Sequence, residues 1–111
     1  MADLTNPKDV SENLDSVQIV DCREDYEWEA GRIEGAVHIP VNDLMGGAGD
    51  DELTQDRPVV VVCRSGNRSE LGTLMLKARG YDAYNMEGGV EAWVRQGLPF
   101  VAPDGGPGRV A

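Results

Sequence analysis

Of the two cysteines in this chain, Cys63 stands where a thiol can act. Four valines, Val59 to Val62, run straight into Cys63-Arg64-Ser65-Gly66-Asn67-Arg68-Ser69, which opens a segment of helical periodicity. A β-branched run without polar alternation predicts a strand covered on both faces, as at the centre of a parallel sheet. Cys63 then lies at the carboxyl edge of that strand, where open α/β sheets bind ligands. The following helix aims its positive end and unpaired amides at the sulfur. A thiolate is favoured there, and the guanidiniums of Arg64 and Arg68 are expected to add to the effect. The thiol should therefore lie below its ordinary pKa of about 8.5 with no histidine base.

The intervening residues suit a tight loop with converging amides, because Gly66 and Asn67 tolerate positive φ and Ser65 can bond its own backbone. Such a loop is an anion cradle. Arg68 follows Cys63 by five positions, so the loop is one residue shorter than the cysteine, five residues, arginine pattern of cysteine phosphatases. Ser69, next in line, cannot grip a phosphoryl group bidentately. The smaller pocket favours a sulfur atom over a tetrahedral phosphate.

Strand and helix must alternate to hold this loop. Val17 to Cys22 reads as a second strand, and Ala36 to Ile39 and Asp82 to Asn85 as shorter ones. Between Asn67 and Arg79, the residues Leu71, Leu74, Met75 and Ala78 fall on one helical face, and Gly80 supplies the stop. Gly72 inside that helix costs about 1 kcal/mol relative to alanine, which points to a close crossing over the sheet. Glu24 to Ala30 and Val90 to Gln96 read as short helices ended by Gly31 and by Gly97 and Pro99. Residues 42 to 57 read as a helical turn and a surface loop. This alternation predicts an α/β fold around a central parallel sheet of about five strands with helices on both faces.

The chain has 111 residues, enough for one compact domain. The expected division is a folded unit over 1–102 and a disordered Gly/Pro-rich tail over 103–111, whose PDGGPGRVA buries too little apolar area to offset its chain entropy. A net charge of -10 argues against nucleic acid and anionic membranes as partners. Residues 1–56 carry 15 of the 20 acids and 3 of the 10 bases, so the reactive loop falls in the more basic half. With 2 Cys and 1 His, no metal site of recognisable spacing can be assembled. The residues before Val17 hold no apolar run long enough for a signal-peptide core, so a cytoplasmic protein with unpaired thiols is expected. No cofactor is expected, and a monomer is.

Four stretches together carry a family resemblance: IVDCRE (Ile19 to Glu24), GRIEGAVHIP (Gly31 to Pro40), VVVVCRSGNRS (Val59 to Ser69) and NMEGGVEAW (Asn85 to Trp93). In order and spacing the chain resembles a single-domain rhodanese over about residues 10 to 100. It departs from the pattern at Cys22, where the family usually has a small aliphatic residue, and at Arg32, often histidine there. The resemblance implies a parallel α/β fold and a sulfurtransferase with a persulfide-forming Cys63. The Cys63 thiolate would attack the outer sulfur of a donor such as thiosulfate, sulfite would leave, and a second nucleophile would take the sulfur. Cyanide, a cellular thiol or a partner protein could accept it. Loop residues Arg64, Ser65, Gly66, Asn67, Arg68 and Ser69 would bind the anionic donor and persulfide, their amides acting as an oxyanion hole does. Because related enzymes acting on mercaptopyruvate have a less cationic loop, the resemblance also favours thiosulfate or another persulfide over that keto acid.

Other singled-out residues read as structural. Cys22 follows a buried strand and is expected in the core, with a second redox-active sulfur as its other reading. Asp21 and Arg23 read as an ion pair or backbone anchor bracing the loop. His38 reads as a hydrogen-bonded structural group. Trp28 and Trp93 read as core or interface anchors, Glu87-Gly88-Gly89 as a helix entry of close backbone approach, and Asp50 to Glu52 as a wet loop. Two other functions stand beside sulfur transfer: a binding or regulatory module that uses the fold without turnover, and a phosphatase or arsenate reductase, against which the short loop argues.

Overall fold

The computed structural model describes residues 2–111. Its strands are β1 (Gln18–Asp21), β2 (Val37–His38), β3 (Val59–Val62) and β4 (Ala83–Asn85), all parallel, in the spatial order β2-β1-β3-β4. Each lies within the segment its sequence predicted. Among the described residues four strands stand where about five were expected. Outside them Val101 makes isolated antiparallel bridges to Arg32 and Pro107, and the prolines and glycines of residues 103–108 do not sustain a ladder.

The helices are α1 (Pro7–Ser11), α2 (Asp25–Ala30), α3 (Val41–Met45), α4 (Asn67–Ala78) and α5 (Gly89–Arg95). The sequence reading passed over α1, although its signals are ordinary: the Asn6 side chain accepts from the Lys8 and Asp9 amides, and Pro7 occupies the first turn. Val59 to Val62 are all fully buried, each side chain contributing about 1.5–3 kcal/mol. Their alternation divides the core in two. Val59 and Val61 join Val20, Leu44 and Leu76 on one face; Val60 and Val62 join Ile19, Val10, Val90 and Trp93 on the other.

Helix α4 presents a different face from the one its leucines predicted. Ser69, Gly72, Thr73 and Leu76 point inward, whereas Leu71 and Leu74 are 42% and 59% exposed. Both sets obey the same spacing, and close approach to the sheet decides between them. A Cβ on Gly72 would stand 3.2 Å from Leu44 and 3.3 Å from Val61, so only the face with glycine at that point can pack so near.

The tail also departs from expectation. The Gly108 amide donates to the Phe100 carbonyl at 2.9 Å, the Arg109 amide donates to the Ala30 carbonyl at 3.0 Å, and Val110 packs against the Trp93 cluster. The approach depends on a bare backbone at Gly31, where a Cβ would come within 2.7 Å of the Arg109 nitrogen. Backbone hydrogen bonds thus order a segment that has little apolar area of its own.

Candidate active site

Cys63 follows β3 directly, and the chain turns over its sulfur before entering α4. Gly66 makes the turn, with φ of 107°, a left-handed conformation that favours glycine. Asn67 adopts helical geometry as the first residue of α4, so the positive φ expected of it is not used. The Gly66 amide donates to Cys63 Sγ at 3.0 Å and the Ser69 hydroxyl lies 3.3 Å from the same sulfur. Helix α5 holds the loop from outside: the Val90 amide donates to the Cys63 carbonyl at 2.9 Å and the Glu91 amide to the Arg64 carbonyl at 3.0 Å. With the carbonyls turned outward, the amides face in. Gly89 makes this contact possible, since a Cβ there would stand 2.5 Å from the Arg64 carbonyl oxygen.

Burial pushes the Cys63 thiol up, but the Ser69 hydroxyl, together with the amides of Ser69, Gly66 and Ser65, outweighs it and holds the thiol below its ordinary value. The expected direction is present, and the loop amides supply part of it as expected, with the Ser69 hydroxyl as the larger donor. Arg68 makes a bidentate pair with Glu27, at 2.6 and 2.9 Å, and Arg64 Nε lies 3.2 Å from Glu91. Each guanidinium is thus paired with a carboxylate, and hydrogen-bond donors, led by the Ser69 hydroxyl, are the main influences that lower the thiol. Arg68 is held firmly charged, chiefly by Glu27, with the nearby Cys63 adding to the effect.

Two residues of this arrangement were not read from the sequence. Glu27, a buried carboxylate on α2, receives Arg68 from 41 positions away. Asn85, at the end of β4, accepts from the Ser69 hydroxyl at 2.5 Å and donates to the Gly66 carbonyl at 3.0 Å. The second bond fixes which end of the amide faces Ser69. The single hydroxyl proton of Ser69 therefore has two acceptors, Asn85 Oδ1 and Cys63 Sγ.

Of the readings for Asp21 and Arg23 the ion pair is present, fully buried and 2.7 Å apart. Arg23 donates onward to the Gly31 carbonyl at 2.7 Å, and His38 Nε2 bonds the Arg23 carbonyl at 2.7 Å. Trp93 is a core residue, whereas Trp28 stacks on His38, with ring centroids 4.8 Å apart. Asp50 is more than a wet loop: it accepts from Arg79 at 2.7 Å and from Tyr81 at 2.6 Å.

The model of the rhodanese-like domain family matches residues 6–96 of this chain. The chain belongs to that family. A sulfurtransferase of Allochromatium vinosum is 39% identical over 94 residues, covering 84% of this chain and 86% of that protein. The thiosulfate sulfurtransferase GlpE of Shewanella oneidensis is 38% identical over 79 residues, 70% of this chain and 76% of that protein. Among solved structures, a rhodanese-related protein from Thermoplasma volcanium superposes with a TM-score of 0.79 at 31% identity, over 86% of this chain and 94% of that one.

In this rhodanese-like domain Cys63 is 1% exposed. A hollow of about 400 Å³ between α4 and β4 is lined by Asn85 but not by Cys63. The sulfur thus lies at the floor of a narrow loop with donors turned toward it. Among the described residues, no helix is long and apolar enough to cross a membrane, and no cluster of three or more metal-ligating side chains is present.

Proposed function

We propose that this protein transfers sulfane sulfur through Cys63. The observation that carries the reading is the pair of donors on one sulfur, the Gly66 amide at 3.0 Å and the Ser69 hydroxyl at 3.3 Å, in a chain whose family relatives bear sulfurtransferase names. The Cys63 thiolate attacks the outer sulfur of a small anionic donor. Thiosulfate is the donor favoured, sulfite leaves with the bonding pair, and a persulfide remains. The same donors then hold the charge on the persulfide. Arg64, the more exposed of the two loop arginines, is the cation that an approaching dianion meets. Cyanide, a thiol or a thiol of a partner protein completes the cycle.

Incubation with thiosulfate is expected to add the mass of one sulfur atom to the chain, and cyanide to remove it as thiocyanate. A Cys63→Ser variant that still loads would sink the proposal. The near-complete burial of Cys63 favours one other reading, a binding module without turnover. Sustained thiocyanate production by the purified protein excludes it.

A further inference from the structure

Sulfur transfer leaves one buried nucleophile unused. Cys22 is a free thiol, 1% exposed, in the same core cluster as Cys63. The parallel register of β1 and β3 pairs Val20 with Val61 and Asp21 with Val62. The next step brings Cys22 opposite Cys63, and the Cys22 amide continues the ladder by donating to the Val62 carbonyl at 2.9 Å. Register partners on neighbouring parallel strands lie about 4.8 Å apart, within the separation of about 4.4–6.8 Å that a disulfide spans. Their side chains share a face, as Val20 and Val61 do in the same cluster.

Successive turns of α4 cover the two sulfurs. The Ser69 hydroxyl reaches Cys63 Sγ, and a Cβ on Gly72, one turn later, would stand 3.9 Å from Cys22 Sγ. Burial pushes the Cys22 thiol up to about 12, with the charge of Cys63 adding to the effect. Cys22 is buried beneath α4 and weakly ionised, and the neighbouring sulfur is the electrophile within its reach.

We propose that Cys22 is a resolving thiol, which displaces the sulfur from loaded Cys63 as sulfide when no acceptor takes it, and closes the two cysteines as a disulfide. The inference rests on the sulfur-transfer reading. Cys22 gives up its proton, and its sulfur supplies the pair for a new bond to Cys63 Sγ. The bond between Cys63 Sγ and the outer sulfur breaks, and its pair departs on hydrosulfide. The outer sulfur is reduced to sulfide as the Cys22 sulfur is oxidised to the disulfide level, so no external oxidant is required. A small thiolate fraction slows the step, and enforced proximity compensates. The device discharges stranded sulfur and leaves a disulfide that an ordinary dithiol reopens.

The test loads the full-length protein with thiosulfate, removes excess donor, and follows intact mass without reductant while trapping sulfide. In the wild type, the added sulfur is expected to give way to a chain lighter than the reduced protein by two hydrogens, with one sulfide released. A non-reduced digest then yields the Cys22 and Cys63 peptides joined. Cys22→Ala keeps its added sulfur on the order of tenfold longer. Equal lifetimes in the two proteins, or sulfide release without the joined peptides, overturn the inference and leave the sulfur-transfer reading standing. Failure of both proteins to load overturns that reading and the inference with it.

Discussion

The hydroxyl of Ser69 is the residue-scale control on the reactive sulfur. It is the largest of the influences that lower the Cys63 thiol, and its proton is contested by Asn85 Oδ1 at 2.5 Å. Ser69→Ala removes the donor and should raise the thiol. Asn85→Asp should act in the same direction, because a carboxylate holds the hydroxyl proton more strongly and adds a negative charge beside the sulfur. The pH profile of Cys63 alkylation by iodoacetamide reads both. Its midpoint is expected to move upward in each variant, and alkylation below the midpoint should slow on the order of tenfold for every pH unit by which it rises. The cysteine and its loop were legible in sequence because they are contiguous. Asn85 was not, since nothing local says that the end of β4 lies beside Ser69, 16 positions earlier. The arginines are the reverse case: they are visible in sequence, but the carboxylates they pair with are not.

At the scale of elements, the loop is held between α2 and α5 as much as by its own turn. Glu27 of α2 is 2% exposed and grips Arg68, the second residue of α4, whose side chain is about a third exposed. Glu27→Gln leaves that guanidinium without its counter-charge. The expected loss of stability is about 1–3 kcal/mol, below the figure for a fully buried pair because solvent still reaches Arg68. Urea unfolding measures it. The freed cation should also lower the Cys63 thiol further, which the alkylation profile detects. On the other side, Gly89→Ala drives a Cβ into the carbonyls of Cys63 and Arg64 at a backbone with φ of 60°. About 2–4 kcal/mol of destabilisation is expected in the same unfolding measurement, with alkylation losing its depressed midpoint as the loop is displaced. Sequence showed these elements more readily than their faces. The valine run fixed β3 to the residue, whereas α4 carried two sets of equal spacing, and the more apolar set turned out to be the exposed one. Ser69 and Gly72 face inward for reach and close approach, neither of which hydrophobic periodicity can register.

For the whole molecule, the two cysteines pull stability in opposite directions as pH changes. Cys63 ionises more easily in the folded chain than in the unfolded one. Where only the folded form has lost the proton, the unfolded state binds more protons, and stability rises with pH. That contribution is complete above the unfolded thiol value and is lost as pH falls through the folded one. Cys22 behaves in reverse. From the ordinary thiol range up to about 12 the folded state keeps a proton that the unfolded chain releases, so stability falls by at most about 1.4 kcal/mol per pH unit. Tyr81 and Tyr84, raised chiefly by hydrogen bonds to Asp50 and Asp82, act in the same sense from the ordinary tyrosine range upward, overlapping the Cys22 window. The urea midpoint should therefore climb toward the ordinary thiol range and then decline. Cys63→Ser is expected to remove the climb, and Cys22→Ala to make the decline shallower while leaving the tyrosine contribution. A decline of unchanged slope in Cys22→Ala would mean that its thiol ionises as freely inside the fold as outside it, which is incompatible with a sulfur sealed between the sheet and α4.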